Sequence, residues 1–237
     1  MSFILSDCKY DFSSDNINII CLVYDCSGSM NRHTHAIIQA NNDFYMDFSK
    51  FEEKGSVAIC KVMFNDSIIH TSFNDVKHFS TDYYAECGTA LYTAIVEASD
   101  NTIKYYNEIV KRLNVRPRIT LFVLSDGRDN SSDCSVNDAK KAITRLNSLD
   151  ATTVFVAFNE AIRYKDGEQL GFTCTRDITS ARELISCLGN ELSKSCQEQS
   201  KSAYSLKSAF FSKAKQNDEE DSVEEIPITD DDFFGNL

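Results

Sequence analysis

Four runs of seven or eight residues are apolar with almost no alternation: Ile17 to Tyr24 (INIICLVY), Val57 to Phe64 (VAICKVMF), Arg118 to Leu124 (RITLFVL) and Thr152 to Phe158 (TTVFVAF). A strand with one face in water alternates apolar and polar positions. Unbroken apolar and β-branched runs therefore predict strands buried on both faces, as in a parallel sheet covered by helices. Between the runs the period lengthens. His33 to Lys54 carries Ile37, Ile38, Phe44, Phe48 and Phe51 at helical spacing, and Gly55 stops it. Gly88-Thr89 opens a long helical pattern through Arg112, and Pro117 forbids its continuation. Val136 to Leu149 predicts another helix, Gly171 to Ile178 a short last strand, and Thr179 to about Lys215 further helix with a break near Cys196 to Lys201. Asn65-Asp66 separates two β-like runs by two residues, a hairpin pattern, so Ser67 to Phe73 is expected as an antiparallel edge strand.

Strands alternating with helices give an α/β fold class: a doubly wound, mostly parallel sheet of about six strands with right-handed crossovers. The expected organisation is a lead-in over 1–14, one domain over 15–199, a helical extension over 200–215 and an acidic tail over 216–237. No internal repeat and no glycine-rich phosphate loop is found. The 237 residues, 42% of them hydrophobic, are enough for one large core.

Charge changes the picture only at one end. The formal net charge is −12, but residues 216–237 hold nine Asp or Glu and no Lys or Arg, which leaves −3 over the rest. An acidic chain without a basic run is a poor match to nucleic-acid backbones or anionic membranes. The tail mixes its acids with Ile226, Pro227, Ile228, Phe233 and Phe234. A solvated segment is the favoured reading, and a short docking peptide the sharper one. The nine cysteines are scattered, two of them (Cys21 and Cys60) inside apolar runs, and none forms a Cys-x-x-Cys pair. Free thiols in a reducing, cytoplasmic compartment are expected, with no signal peptide in Met1 to Phe12 and the sequons at Asn65 and Asn130 accidental.

The chemistry concentrates after the first apolar run. Asp25-Cys26-Ser27-Gly28-Ser29-Met30 puts one carboxylate and two hydroxyls, at spacing two, on a turn. Oxygen donors suit a hard cation such as Mg²⁺ or Mn²⁺, and neutral hydroxyls leave it in need of an anionic ligand from elsewhere. Taken alone, such a turn is more often a helix cap. Two further segments alter the balance: Cys87-Gly88-Thr89-Ala90-Leu91, a hydroxyl at a helix start, and Leu124-Ser125-Asp126-Gly127, a carboxylate at a strand end. Ligands of open α/β sheets bind beyond the carboxyl ends of the strands, where strand order reverses. There Asp25, Ser27, Ser29, Thr89 and Asp126 can converge.

In these words the chain resembles the von Willebrand factor A (vWA) domains, over about residues 15 to 195. Their metal-ion-dependent adhesion site is written Asp-x-Ser-x-Ser, then a distant Thr, then a distant Asp. Asp-x-Ser-Gly-Ser-Met, Gly-Thr-Ala-Leu and Ser-Asp-Gly stand here in that order. The likeness is greatest to stand-alone intracellular bacterial or phage members, including the tellurium-resistance-associated type. The resemblance implies direct ligation by Ser27 and Ser29, with Thr89 direct or through water. It implies that Asp25 and Asp126 act mostly through water and through hydrogen bonds to the serines. It further implies a protein partner that supplies a Glu or Asp carboxylate, such as an associated ATPase or gene-cluster neighbour. The thiol of Cys26 would lie close to the metal, so that its oxidation would impair binding.

Around the site, His33 and His35 are expected as solvated residues at a helix start. Asp129 and Asn130 are expected in turns, and Tyr83-Tyr84 and Tyr105-Tyr106 in rim packing, with Tyr83 and Tyr84 open to a partner. The rival reading is a Mg²⁺-dependent phosphohydrolase or phosphotransferase with Asp25 as nucleophile. Against it, no lysine stands near Asp25 in the sequence to clamp a phosphoryl group.

Overall fold

The computed structural model describes residues 17–48, 57–126, 128–158, 164–180, 183–184 and 186–189. The lead-in, the extension, the acidic tail and the 49–54 end of the first expected helix lie outside the described residues. Six strands, β1 (Asn18–Asp25), β2 (Val57–Phe64), β3 (Ile68–His70), β4 (Arg118–Ser125), β5 (Thr152–Phe158) and β6 (Cys174–Ile178), form one sheet in the order β3-β2-β1-β4-β5-β6. All neighbours are parallel except β2 and β3. Among the described residues the helices named here are α1 (Thr34–Phe48), α2 (Leu91–Leu113), α3 (Val136–Asn147) and α4 (Tyr164–Leu170).

The unbroken apolar runs are explained by the two faces of this sheet. Along β1, Ile19, Cys21 and Val23 join one core with α2 and α3, while Ile20, Leu22 and Tyr24 join a second core with α1. Successive side chains of a strand point to opposite faces, so a strand covered on both sides has no polar positions to alternate. Each fully buried Leu or Ile contributes about 1.5–3 kcal/mol. In α2 the buried positions Leu91, Ala94, Ile95, Ala98, Thr102, Tyr105 and Ile109 recur at three- and four-residue spacing and lay one stripe on the sheet. A capping box at Ser135 and Asp138 starts α3.

The edge strand is shorter than the sequence predicts. Only Ile68–His70 pairs as a strand with β2, because Phe73 is drawn into the core against Tyr105, with ring centroids 4.4 Å apart. Tyr105 and Tyr106 are therefore buried core residues rather than rim packing. Helix α4 was not expected at all. α2, α3 and α4 are followed, before the next strand, by Asn114 (φ 54°), Asp150 (φ 59°) and Gly171 (φ 87°). Asn, Asp and Gly are the residues that tolerate this left-handed backbone.

Candidate metal site at the strand ends

The sheet order reverses between β1 and β4, and the site stands beyond the carboxyl ends of these two strands. Asp25, the last residue of β1, is completely buried. Its Oδ1 accepts the backbone N–H of Ser27 at 2.8 Å, and its Oδ2 accepts the hydroxyl of Ser125 from β4. Ser27 Oγ lies 3.1 Å from Ser29 Oγ, and the Ser29 hydroxyl donates to Asp126 Oδ1 at 2.6 Å. Asp25, Ser27, Ser29 and Asp126 thus form one connected chain of oxygen groups across a gap of a hundred residues. Burial pushes the Asp25 carboxyl up to about 6, the Ser125 and Ser27 hydrogen bonds pull it back, and the nearby charge of Asp126 raises it further.

Thr89 reaches the same place through its backbone. The loop before it is stitched to the serine turn by Glu86 N–H to Cys26 O (2.7 Å) and Gly28 N–H to Cys87 O (3.1 Å). Cys87 takes a left-handed backbone (φ 67°) to make the turn. On the other side Thr89 N–H donates to Asn130 Oδ1 at 2.8 Å, and its carbonyl accepts from Asn130 and Ser131. Gly88 is needed for this approach, since a Cβ there would stand 2.4 Å from Ser131 Oγ and 3.1 Å from Asn130 Oδ1. Thr89 itself is buried.

Several neighbours differ from expectation. His33 is 8% exposed, not solvated: its ring lies 4.0 Å from that of Phe158, and its Nε2 accepts from Arg32 Nε at 3.0 Å. Burial and the Arg32 charge hold its pKa below the usual value. Tyr83 is buried and its hydroxyl donates to the Asp25 carbonyl, so of the two tyrosines only Tyr84 faces solvent. Cys26 is also buried, and its thiol is pushed up to about 12, chiefly by that burial. Such a thiol stays protonated, which makes it a poor nucleophile toward oxidants.

A lysine does lie beside the neighbours of Asp25, close enough to Cys26 for its charge to act on that thiol. Lys61, the one charged residue of the β2 run, is buried and donates to the carbonyls of Ser80 (3.0 Å) and Asp82. Its ammonium lies 5.9 Å from the Tyr24 ring centroid and 5.6 Å from that of Phe79, so it serves as a clamp on the loop leading to Tyr83. Sequence reasoning did not single out Ser125, Lys61 or Arg32. A lone lysine within VAICKVMF was the visible mark of the second.

The donors are all oxygens, and the only carboxylates in the chain just described are Asp25 and Asp126. Among the described residues no three His, Cys, Asp or Glu side chains cluster as a metal cage. The set therefore fits a hard cation held largely by hydroxyls and fits a transition-metal clip poorly. The charge of Asp126, close enough to raise the pKa of Asp25, is also what a cation relieves.

No protein-family model and no curated sequence matches the chain. Solved structures do. The pilus adhesin SpaC of Lactobacillus rhamnosus GG superposes with a TM-score of 0.60 at 11% identity, over 76% of this chain and 30% of its own. The PilB minor pilin of Streptococcus sanguinis gives 0.56 at 11% identity, over 83% and 63%. Proximal thread matrix protein 1 of the mussel byssus, with a zinc-occupied MIDAS motif, gives 0.52 at 15% identity, over 76% and 46%. The fold is of the vWA, Rossmann-like α/β type. At these identities the likeness concerns the fold alone, and the chain spans less than two thirds of each of these neighbours. Within this vWA fold, the five residues Asp25, Ser27, Ser29, Thr89 and Asp126 belong to the segments that meet at the switch point. No helix among the described residues is long and apolar enough to cross a membrane.

Proposed function

We propose that this chain is a metal-dependent protein-binding module. A divalent cation, Mg²⁺ or Mn²⁺, is held by Asp25, Ser27, Ser29, Thr89 and Asp126 and receives a Glu or Asp carboxylate from a protein partner. The observation that carries the reading is the hydrogen-bonded chain from Asp25 through Ser27 and Ser29 to Asp126, which puts two hydroxyls between two carboxylates. Asp25 orients the serine turn through the Ser27 N–H, and Asp126 orients the Ser29 hydroxyl. When bound, the cation supplies a Lewis-acid centre for an anionic oxygen. The zinc-occupied MIDAS of the byssus protein supports a divalent ion on this fold.

The complete burial of Asp25, with both carboxylate oxygens engaged, supports a binding role over phosphoryl transfer from that residue. The intracellular, tellurium-resistance-associated type, a partner ATPase and a cytoplasmic setting rest on the sequence words alone. Calorimetric titration tests the core of the proposal. The wild type binds one Mg²⁺ or Mn²⁺ per chain, and Ser27→Ala/Ser29→Ala weakens it by about 100-fold or more, beyond the loss expected from removing a supporting residue. Equal affinity in the two proteins would end the metal reading.

A further inference from the structure

Arg32 stands at the rim of the site. It follows Ser29 by three residues, in the 3-10 turn Gly28–His33, and its side chain is 56% exposed. Its Nη2 lies 3.4 Å from Asp126 Oδ2, the oxygen not taken by Ser29. Its Nε donates to His33 Nε2 at 3.0 Å, and the His33 ring is fixed against Phe158. One side of the guanidinium is thus anchored on a buried acceptor beside Asp126, while more than half of the side chain stays open to solvent.

Charge balance assigns this group a task. A divalent cation beside the carboxylates of Asp25 and Asp126 makes a centre with no net charge. An arriving carboxylate would be drawn to the cation and repelled by the two anions, leaving a site one charge negative. A guanidinium at the rim restores neutrality and presents donors in a fork that matches a carboxylate. We propose that Arg32 receives the partner's carboxylate beside the cation and so makes the site selective for Glu or Asp side chains over neutral oxygen ligands. The inference rests on the metal-binding reading above.

The same positive charge, 3.4 Å from Asp126, repels the cation. Loss of Arg32 therefore has opposite effects on the two ligands, which a merely structural role does not produce. The probes are Mn²⁺ itself, followed by calorimetry, and N-acetylglutamate methylamide, followed by the proton relaxation that bound Mn²⁺ induces in it at low ionic strength. Arg32→Gln is expected to bind Mn²⁺ about threefold more tightly than wild type. It is expected to bind the carboxylate probe about fivefold more weakly, with Arg32→Lys in between because it keeps the charge and loses the fork. Weaker Mn²⁺ binding by Arg32→Gln, or unchanged affinity for the probe, overturns the proposal. If the wild type binds Mn²⁺ and Arg32→Gln holds the probe equally well, only this inference falls. If the wild type binds no Mn²⁺, the metal reading falls with it.

Discussion

Asp25 is a residue whose ionisation the fold resists and the proposed metal site requires. Its carboxyl is pushed from an ordinary 3.8 up to about 6, with burial the largest cause. The folded protein therefore holds a proton there between these two values that the unfolded chain releases. The associated stability is full below pH 3.8 and is lost as pH rises to about 6, with a total loss of about 3 kcal/mol by pH 7. Asp25→Asn cannot titrate and serves as the reference. In cation-free buffer, the stability of the wild type relative to Asp25→Asn should fall by most of that amount between pH 4 and pH 7, as measured by urea unfolding. A difference that stays constant would show that Asp25 keeps an ordinary pKa. Cation binding runs the other way, since the ionised form is the one that supports the site. Saturating Mg²⁺ should flatten the wild-type profile at neutral pH.

Helix α4 shows at the scale of an element what the sequence displays and what it hides. Gly167 sits inside this seven-residue helix, where glycine costs about 1 kcal/mol relative to alanine, and no helical pattern is legible there. Packing supplies the reason: a Cβ on Gly167 would stand 2.6 Å from Phe155 Cβ and 2.8 Å from Thr175 Cγ2. Gly167→Ala is therefore expected to destabilise the domain by about 1–3 kcal/mol despite its better propensity, again read by urea unfolding. A neutral or stabilising result would mean that α4 is free to lift from β5. The strands were legible because burial on both faces writes an unmistakable apolar run, as in Thr152–Phe158, where the expected and observed bounds agree. The short edge strand was overextended because Phe73 continues the apolar pattern while its ring serves the core. Of the candidate site, the segments that carry Asp25, Ser27, Ser29, Thr89 and Asp126 were legible because each motif is local in sequence. Ser125, Lys61 and Arg32 were not, because their partners arrive from other strands and loops, and nothing in Arg32 alone announces Asp126.

The whole molecule has two unlike poles. At one, the strands β1 and β4 end in the acids and hydroxyls of the site, with the 83–90 loop strapped across by Tyr83, Glu86 and Gly28. At the other, the parallel strands begin, entered by left-handed turns at Asn114 and Asp150. Eight-residue strands set the poles roughly 25 Å apart. Asn114 caps α2 with its N–H on Val110 O, and the preceding residues Lys111 to Leu113 are exposed. That arrangement has a practical use. A short glycine-serine peptide bearing a fluorophore or biotin, inserted after Asn114, should leave cation affinity within about twofold of wild type, because exposed turns far from a site accept insertions readily. Calorimetry on the insertion variant checks this, and a larger loss would reveal coupling between the poles. A molecule anchored by that turn to a sensor surface would stand with its proposed cation-binding end outward, so that every immobilised copy meets the solution in the same orientation.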